Sequence, residues 1–303
     1  MTRGYLPLLL GLGLIWGASF MFIEVALEDL EPTTLMAARV VISAVCLVAM
    51  LAATRGVRGA GRELAAAGFG AYALGVINSA VPFTLIAWGQ QHVDSGTAAI
   101  GNASTPIWVA VLAIWFSHSE RAFGARLVGI LLGLLGVAVL TGAQPEASWW
   151  TLAGTLAVVV ASFSYAAASL IAQGRMAGTG PLALSAATMI GAAVVLVPFG
   201  LVQLPSSAPD AATVASVVAL GVAGTAIGLL LFFRLINRYG SARAALVTYL
   251  LPVTALLYGA ALLDEPVGFA KLAGMALILG GVALGSGMAR LPRRLVAAVA
   301  PRT

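Results

Sequence analysis

Residues 73–92 read ALGVINSAVPFTLIAWGQQH, and residues 95–106 read SGTAAIGNASTP. Shifted forward by 146 positions without a gap, this stretch falls on ALGVAGTAIGLLLFFRLINR at 219–238 and SARAALVTYLLP at 241–252. Ten of its thirty-four positions are identical, among them Ala73/Ala219, Gly75/Gly221, Ser95/Ser241, Ala98/Ala244, Ala99/Ala245 and Pro106/Pro252. Apolar composition alone produces chance matches of Ala and Leu. An ungapped register that closes on the same proline is the stronger sign of an internal repeat.

The composition says in what solvent this repeat sits. Of 303 residues, 61% are hydrophobic and 9% charged, whereas a soluble domain carries about a quarter charged residues. Apolar runs of about 20 residues are membrane spans. Backbone in lipid must satisfy its own hydrogen bonds, which leaves helices or a closed barrel. These runs are too long and continuous for alternating barrel strands. The expected fold class is therefore an all-α membrane protein. Ten spans are expected, near 5–27, 33–53, 67–90, 95–117, 123–142, 149–172, 181–203, 211–233, 241–263 and 268–289. Short turn-rich or charged stretches separate them, such as EDLEP, TRGVRGAGRE, HSER and LDEP.

Several functions are disfavoured at once. Cys46 is the lone cysteine, and His92 and His118 stand apart with no Cys/His cluster, so neither a metal nor any other cofactor is expected. No GxxxxGK[ST] loop is present, which argues against an ATP-driven motor. No cluster of ionisable residues at one depth suggests an enzyme. The N-terminal Arg3 leads into a full-length span and does not resemble a cleaved signal peptide.

Arginine bias orients the chain. With both termini in the cytoplasm, Arg55, Arg58, Arg62, Arg121, Arg126, Arg175, Arg234, Arg238 and Arg243 fall inside, with the basic tail. Glu28, Asp29, Glu31, Asp94, Glu146, Asp210, Asp264 and Glu265 fall outside. The net charge of +5 then follows from inner-loop arginines and needs no nucleic-acid partner. The repeat also extends past the opening stretch. At an offset of 145, Glu120/Glu265, Gly129/Gly274, Gly136/Gly281 and Gly142/Gly287 align; at 143, Gly11, Ala18, Ser19 and Phe20 align with Gly154, Ala161, Ser162 and Phe163. Two five-helix repeats are expected, at 1–145 and 146–303. Five is odd, so the halves run in opposite senses through the membrane. Inverted repeats of this kind place a central cavity and binding site near the bilayer midplane.

The run Leu14-Ile15-Trp16-Gly17-Ala18-Ser19-Phe20, Arg39 in the second span, and Pro106-Ile107-Trp108-Val109 followed by Glu120 and Gly129 to Gly136 carry a family resemblance. Pro252, Glu265-Pro266 and Gly274 to Gly281 repeat it. The chain resembles, over nearly its whole length, the EamA type of the drug/metabolite transporter superfamily. The resemblance implies ten helices and export of amino acids or related small metabolites, aromatic ones included. Glu24 departs from it, because many relatives place a basic residue late in the first helix.

Transport needs a polar, adaptable cavity rather than covalent chemistry. Pro106 and Pro252 lie near the centres of the fourth and ninth spans, where each permits a kink. Ser95, Ala99, Asn102 and Pro106 share one helix face, as do Ser241, Ala245, Thr248 and Pro252. These read either as paired gates around a substrate or as close packing of small residues. Asn78 and Pro82 are four apart, with Gly224 and Gly228 as their mates. Trp16 and Ser19 in the first span, and Ser162 and Tyr165 in the sixth, complete the candidate substrate contacts. Glu24 and Arg39 are expected to pair near the outer face, as a gate, a coupling site or a structural salt bridge.

The expected function is a monomeric inner-membrane secondary transporter, not an enzyme. It exports small metabolites, amino acids including aromatic ones, by alternating access; its partners are that small-molecule substrate and the lipid bilayer. The alternative is multidrug efflux of lipophilic cations coupled to protons. Phosphorylated sugars are disfavoured for want of a cation at the midplane.

Overall fold

The first helix, α1 (Tyr5–Ala26), is apolar on every side. A helix of that kind has no water-facing stripe and is stable only where lipid or other helices surround it. The computed structural model describes residues 4–93, 95–116, 124–141, 148–175, 178–262 and 269–286. The described residues are helical, joined by short turns. Asp94, His118, Glu120, Arg121, Glu146, Asp264, Glu265, Pro266, the glycines at 142 and 287, and the basic tail lie outside them.

After α1 come α2 (Pro32–Ala67), α3 (Phe69–Gly75) and α4 (Val81–Gln90), with α3 and α4 joined by a π-helical turn at Val76–Ala80. Next are α5 (Ser95–Asn102), α6 (Thr105–Phe116), α7 (Ala125–Thr141), α8 (Trp149–Arg175) and α9 (Pro181–Val202). A second π-helical segment, Leu220–Ile227, joins α10 (Ala211–Ala219) to α11 (Gly228–Tyr239). α12 (Ser241–Ala245), a 3₁₀ turn at Leu246–Tyr249, α13 (Leu250–Leu262) and α14 (Phe269–Ser286) finish the described chain.

Six stretches among the described residues are long and apolar enough to cross a bilayer: Tyr5–Ala26, Pro32–Ala67, Phe69–Gln90, Trp149–Gly174, Pro181–Val202 and Ala211–Tyr239. The chain is thus an all-α, multi-pass membrane protein. Shorter apolar helices, Thr105–Phe116, Ala125–Gly136 and Leu272–Gly285, lie between and after them.

The local sequence explains where these helices begin. Pro32 and Pro181 stand at first helical positions, where a missing N–H costs nothing. Asp210 caps α10, its carboxylate accepting the Thr213 N–H at 2.6 Å. One expectation is corrected in α2. The basic stretch TRGVRGAGRE, read from sequence as a connecting loop, is helical, and the chain bends within it at Gly56, whose φ is +70°. Arg, Ala and Glu all favour helix. Ala60 and Ala67 are buried, and the arginines stay outside. Arg55 and Glu63 form an ion pair at 2.8 Å across the bend.

Small residues let the backbones meet. A methyl group on Gly75 of α3 would lie 1.9 Å from the Thr188 carbonyl oxygen of α9. One on Gly191 of α9 would lie 2.0 Å from the Tyr72 carbonyl oxygen of α3. Helices α7 and α14 do the same. A methyl on Gly129 would lie 2.4 Å from the Gly285 nitrogen, and one on Gly281 2.5 Å from the Gly133 nitrogen. Lipid provides no hydrophobic drive between helices, so close backbone packing of this kind is what associates them.

Candidate functional site

Two pairs of irregular turns shape the interior, and both pairs sit at the repeat spacing. Val76–Ala80 shifted by 146 positions falls inside Leu220–Ile227; the break between α5 and α6, shifted equally, meets the end of the 3₁₀ turn before α13. In the first of these breaks the chemistry is plain. Pro106 has no N–H to give the Asn102 carbonyl. The Thr105 hydroxyl donates to that oxygen instead, at 2.8 Å. The expected kink at Pro106 is therefore a break between α5 and α6, whereas before Pro252 the helix tightens into a 3₁₀ turn and runs on.

Carbonyls of the π-helical segments accept hydrogen bonds from side chains, both distant and local. The Trp16 indole N–H donates to the Gly224 carbonyl at 2.9 Å. The Ser164 hydroxyl of α8 donates to the Ile77 carbonyl at 2.6 Å. Thr225 donates to the Leu220 carbonyl five residues earlier, at 2.8 Å. A π turn is frequently found at functional sites, and here two of them face one cavity.

That cavity is narrow, about 70 Å³, and mainly apolar. Helix α1 contributes Trp16, Ser19, Phe20 and Ile23; α2 contributes Arg39. The first π segment and α4 supply Asn78, Phe83 and Ile86, and the α5–α6 break supplies Asn102 and Thr105. Tyr165 comes from α8, Gly224, Thr225, Leu229 and Phe232 from the second π segment and α11, and Ala245, Thr248 and Leu251 from around the 3₁₀ turn. Among the described residues, none of those lining it is acidic. Aromatic rings make the walls: Trp16 lies 5.1 Å from Phe232 and Phe83 lies 6.4 Å from Tyr165, centroid to centroid.

Of the residues singled out in the sequence, Trp16, Ser19, Asn78, Asn102, Tyr165, Thr248 and Arg39 meet in this cavity. Ser19 donates to the Ile15 carbonyl at 3.3 Å, Asn78 to the Ser79 hydroxyl at 3.1 Å, and Thr248 to the Ala245 carbonyl at 2.9 Å. Pro82, Pro106 and Pro252 are buried but do not line it. Ser162 stands behind the wall, its hydroxyl 3.0 Å from both the Gly101 and the Val158 carbonyl oxygens.

The expected pairing of Glu24 with Arg39 is not what the structure contains. Glu24 is exposed on α1 and does not line the cavity. Arg39 is buried and turns inward, donating Nε–H to the Thr225 hydroxyl at 2.6 Å and stacking on Phe83 with 4.0 Å from Cζ to the ring centroid. Similar depth along two helices does not set which way each side chain faces; packing sets that. Phe83, Thr105, Thr225 and Phe232 were missed in the sequence. All four lie within the repeated stretches, with Phe83 next to Pro82 and Thr225 next to Gly224, the mate of Asn78, and that placement was the available signal.

The fold and sequence have known counterparts. A solved crystal structure superposes with a TM-score of 0.78 over 95% of this chain and 97% of that one; at 20% identity the likeness speaks for the fold alone. A protein of Streptantibioticus cattleyicolor called "Probable terminal-alkyne amino-acid exporter" is 31% identical over 281 residues, 89% of each chain. A "Probable amino-acid metabolite efflux pump" of Escherichia coli K12 is 26% identical over 282 residues, covering 88% of this chain and 90% of its own. The model of the EamA-like transporter family matches twice, over residues 3–142 and again over 152–287. Matched along both halves, this multi-pass membrane protein belongs to the EamA-like transporter family.

Proposed function

We propose that this transporter exports small metabolites across the inner membrane, amino acids with apolar or aromatic side chains among them, by alternating access. The observation that carries the reading is the cavity itself. Its walls are aromatic and aliphatic, with isolated amide, hydroxyl and guanidinium groups placed among them, which is the make-up of a small-ligand site. The names of the two relatives described above, one an amino-acid exporter and one an amino-acid metabolite efflux pump, point the same way.

The architecture we infer is ten helices in two inverted five-helix halves, 1–145 and 146–303, with both termini cytoplasmic. Three features support it: the two family matches, the two π segments at one offset, and the α5–α6 break and the 3₁₀ turn at the same offset. Both halves contribute to the cavity wall, so exchanging their conformations would expose it to one side and then the other. Trp16, Tyr165, Phe83 and Phe232 would hold the substrate's apolar part, and Asn78, Asn102 and Thr248 its polar groups. The break before Pro106 and the 3₁₀ turn before Pro252 would be the moving points. Efflux of lipophilic cations is the weaker reading, because a cation favours a carboxylate and none of the described residues lining the cavity carries one.

The test is uptake of a radiolabelled amino-acid panel into proteoliposomes, with and without a pH gradient. Flux of leucine, phenylalanine or tryptophan above that of empty vesicles is expected. If no amino acid moves, the proposal fails.

A further inference from the structure

Among the described residues, the cavity wall contains a fixed positive charge and no carboxylate. Arg39 is 5% exposed and lines the wall, and no described Asp or Glu does. Its guanidinium is held on two sides. Nε–H donates to Thr225, which is itself anchored on the Leu220 carbonyl of the π segment, and the Phe83 ring lies beneath the plane. The remaining face is poorly satisfied. Nη1 meets only the Met36 thioether, a weak acceptor, at 3.9 Å. Nη2 makes no hydrogen bond among the described residues and lies on the side of Gly224, where a methyl group would be 3.8 Å away. A buried cation in a membrane protein ordinarily pairs with a carboxylate or a cluster of carbonyls. Here Nε is used by the protein, while Nη2 lies beside Gly224, another residue of the cavity wall.

We propose that Arg39 is the carboxylate-recognition residue of this cavity, so that the exported compounds are carboxylic acids and their uncharged amides are excluded. The assignment rests on the export reading above and narrows it. A guanidinium presents two parallel N–H groups to a carboxylate, which a lysine does not. Trp16 and Phe232 stand across the same cavity, which fits an acid bearing an apolar side chain. Gly224 has no side chain; a methyl group there would lie 3.8 Å from Nη2 and 2.8 Å from the Ser19 hydroxyl oxygen. Thr225 and Phe83 are positioning residues that keep the fork aimed.

The deciding measurement compares L-phenylalanine with L-phenylalaninamide in wild-type proteoliposomes. The two share ring and amine and differ in the carboxylate. Flux of the acid should exceed that of the amide by about thirtyfold, the scale for losing one partner of a buried, hydrogen-bonded charge pair. Arg39→Gln should abolish this preference, and Arg39→Lys should restore part of it. Thr225→Val, which keeps the arginine, should weaken binding of the acid more than that of the amide. Equal transport of acid and amide by the wild type overturns the assignment and leaves the export reading intact. A preference retained in Arg39→Gln also overturns it. Transport of neither probe, nor of any other amino acid, sinks both.

Discussion

The indole of Trp16 is bonded to the backbone of Gly224, N to O 2.9 Å, across 208 positions of sequence. This ties the first helix to the second π segment at the cavity wall. Gly228 lies beside the same ring: a methyl group there would stand 2.5 Å from the indole nitrogen. Trp16→Phe keeps the ring wall and removes the bond, and should lower stability by about 1 kcal/mol. Gly228→Ala should do more harm to transport, because it pushes the indole out of place while keeping it in the protein. Intrinsic fluorescence and uptake, measured on the same preparation, check both. A Gly228→Ala protein with wild-type flux and spectrum would contradict this account.

Gly17 faces Thr254 on α13. A methyl at Gly17 would be 1.8 Å from the threonine hydroxyl oxygen and 2.7 Å from its Cβ. Gly17→Ala should cost about 1–3 kcal/mol, the usual range for overpacking. Adding Thr254→Ala removes the nearer contact and leaves the farther, so it should recover part of the loss. Thermal unfolding in detergent gives the coupling, and strictly additive effects would mean the two residues do not touch.

Glycines with identical chemistry should behave very differently along this chain. Gly75→Ala and Gly191→Ala each drive a methyl into a carbonyl of the facing helix. Neither neighbour is a flexible side-chain tip, so a loss of about 3 kcal/mol or more is expected. Gly11→Ala meets nothing within 4 Å and should change stability by no more than about 1 kcal/mol, in the stabilising direction set by helix propensity. Comparable yields and melting temperatures for the three proteins would refute the packing described for α3 and α9.

Gly240, between α11 and α12, has φ +85° and ψ 163°, a conformation reserved for glycine. Replacing it with Ala should cost about 1–3 kcal/mol in backbone strain. The readout is melting temperature, and an unchanged value would show that the turn relaxes freely.

Asp210 offers a test by pH. The Thr213 backbone N–H, with further help from the Thr213 side chain, holds the Asp210 carboxyl below its ordinary range. A group whose folded value is depressed stabilises the fold above its unfolded pKa and ceases to do so as pH falls through the folded one. The difference in melting temperature between wild type and Asp210→Ala should therefore be steady near neutrality and close on strong acidification. A gap that ignores pH would assign the effect to shape rather than charge.

Much of the fold was legible because lipid leaves few choices. The apolar runs expected at 5–27 and 181–203 are Tyr5–Ala26 and Pro181–Val202. The repeat marked the cavity wall well, since Asn78, Asn102 and Thr248 all came from it. Two things were not legible. A π turn adds one residue to one turn, and no residue type demands it: Pro82 follows the first, but Gly228 occupies the matching place after the second. The direction of Arg39 depends on a rotation about its helix that only the neighbours Thr225 and Phe83 fix. The prolines misled for a related reason. They break the helix, while the residues just before them, Asn102 and Thr105, are the ones left facing inward.

The helix contacts at Gly75, Gly129, Gly191 and Gly281 are made by main chain, and none of these four glycines lines the cavity. Recognition and assembly thus draw on largely separate sets of positions. On the proposed function, exchanging Leu229, Ile86 or Phe232 for another size would retune what is carried and leave those four contacts untouched. One frame could then diversify in cargo through a handful of wall substitutions, without passing through misfolded ancestors.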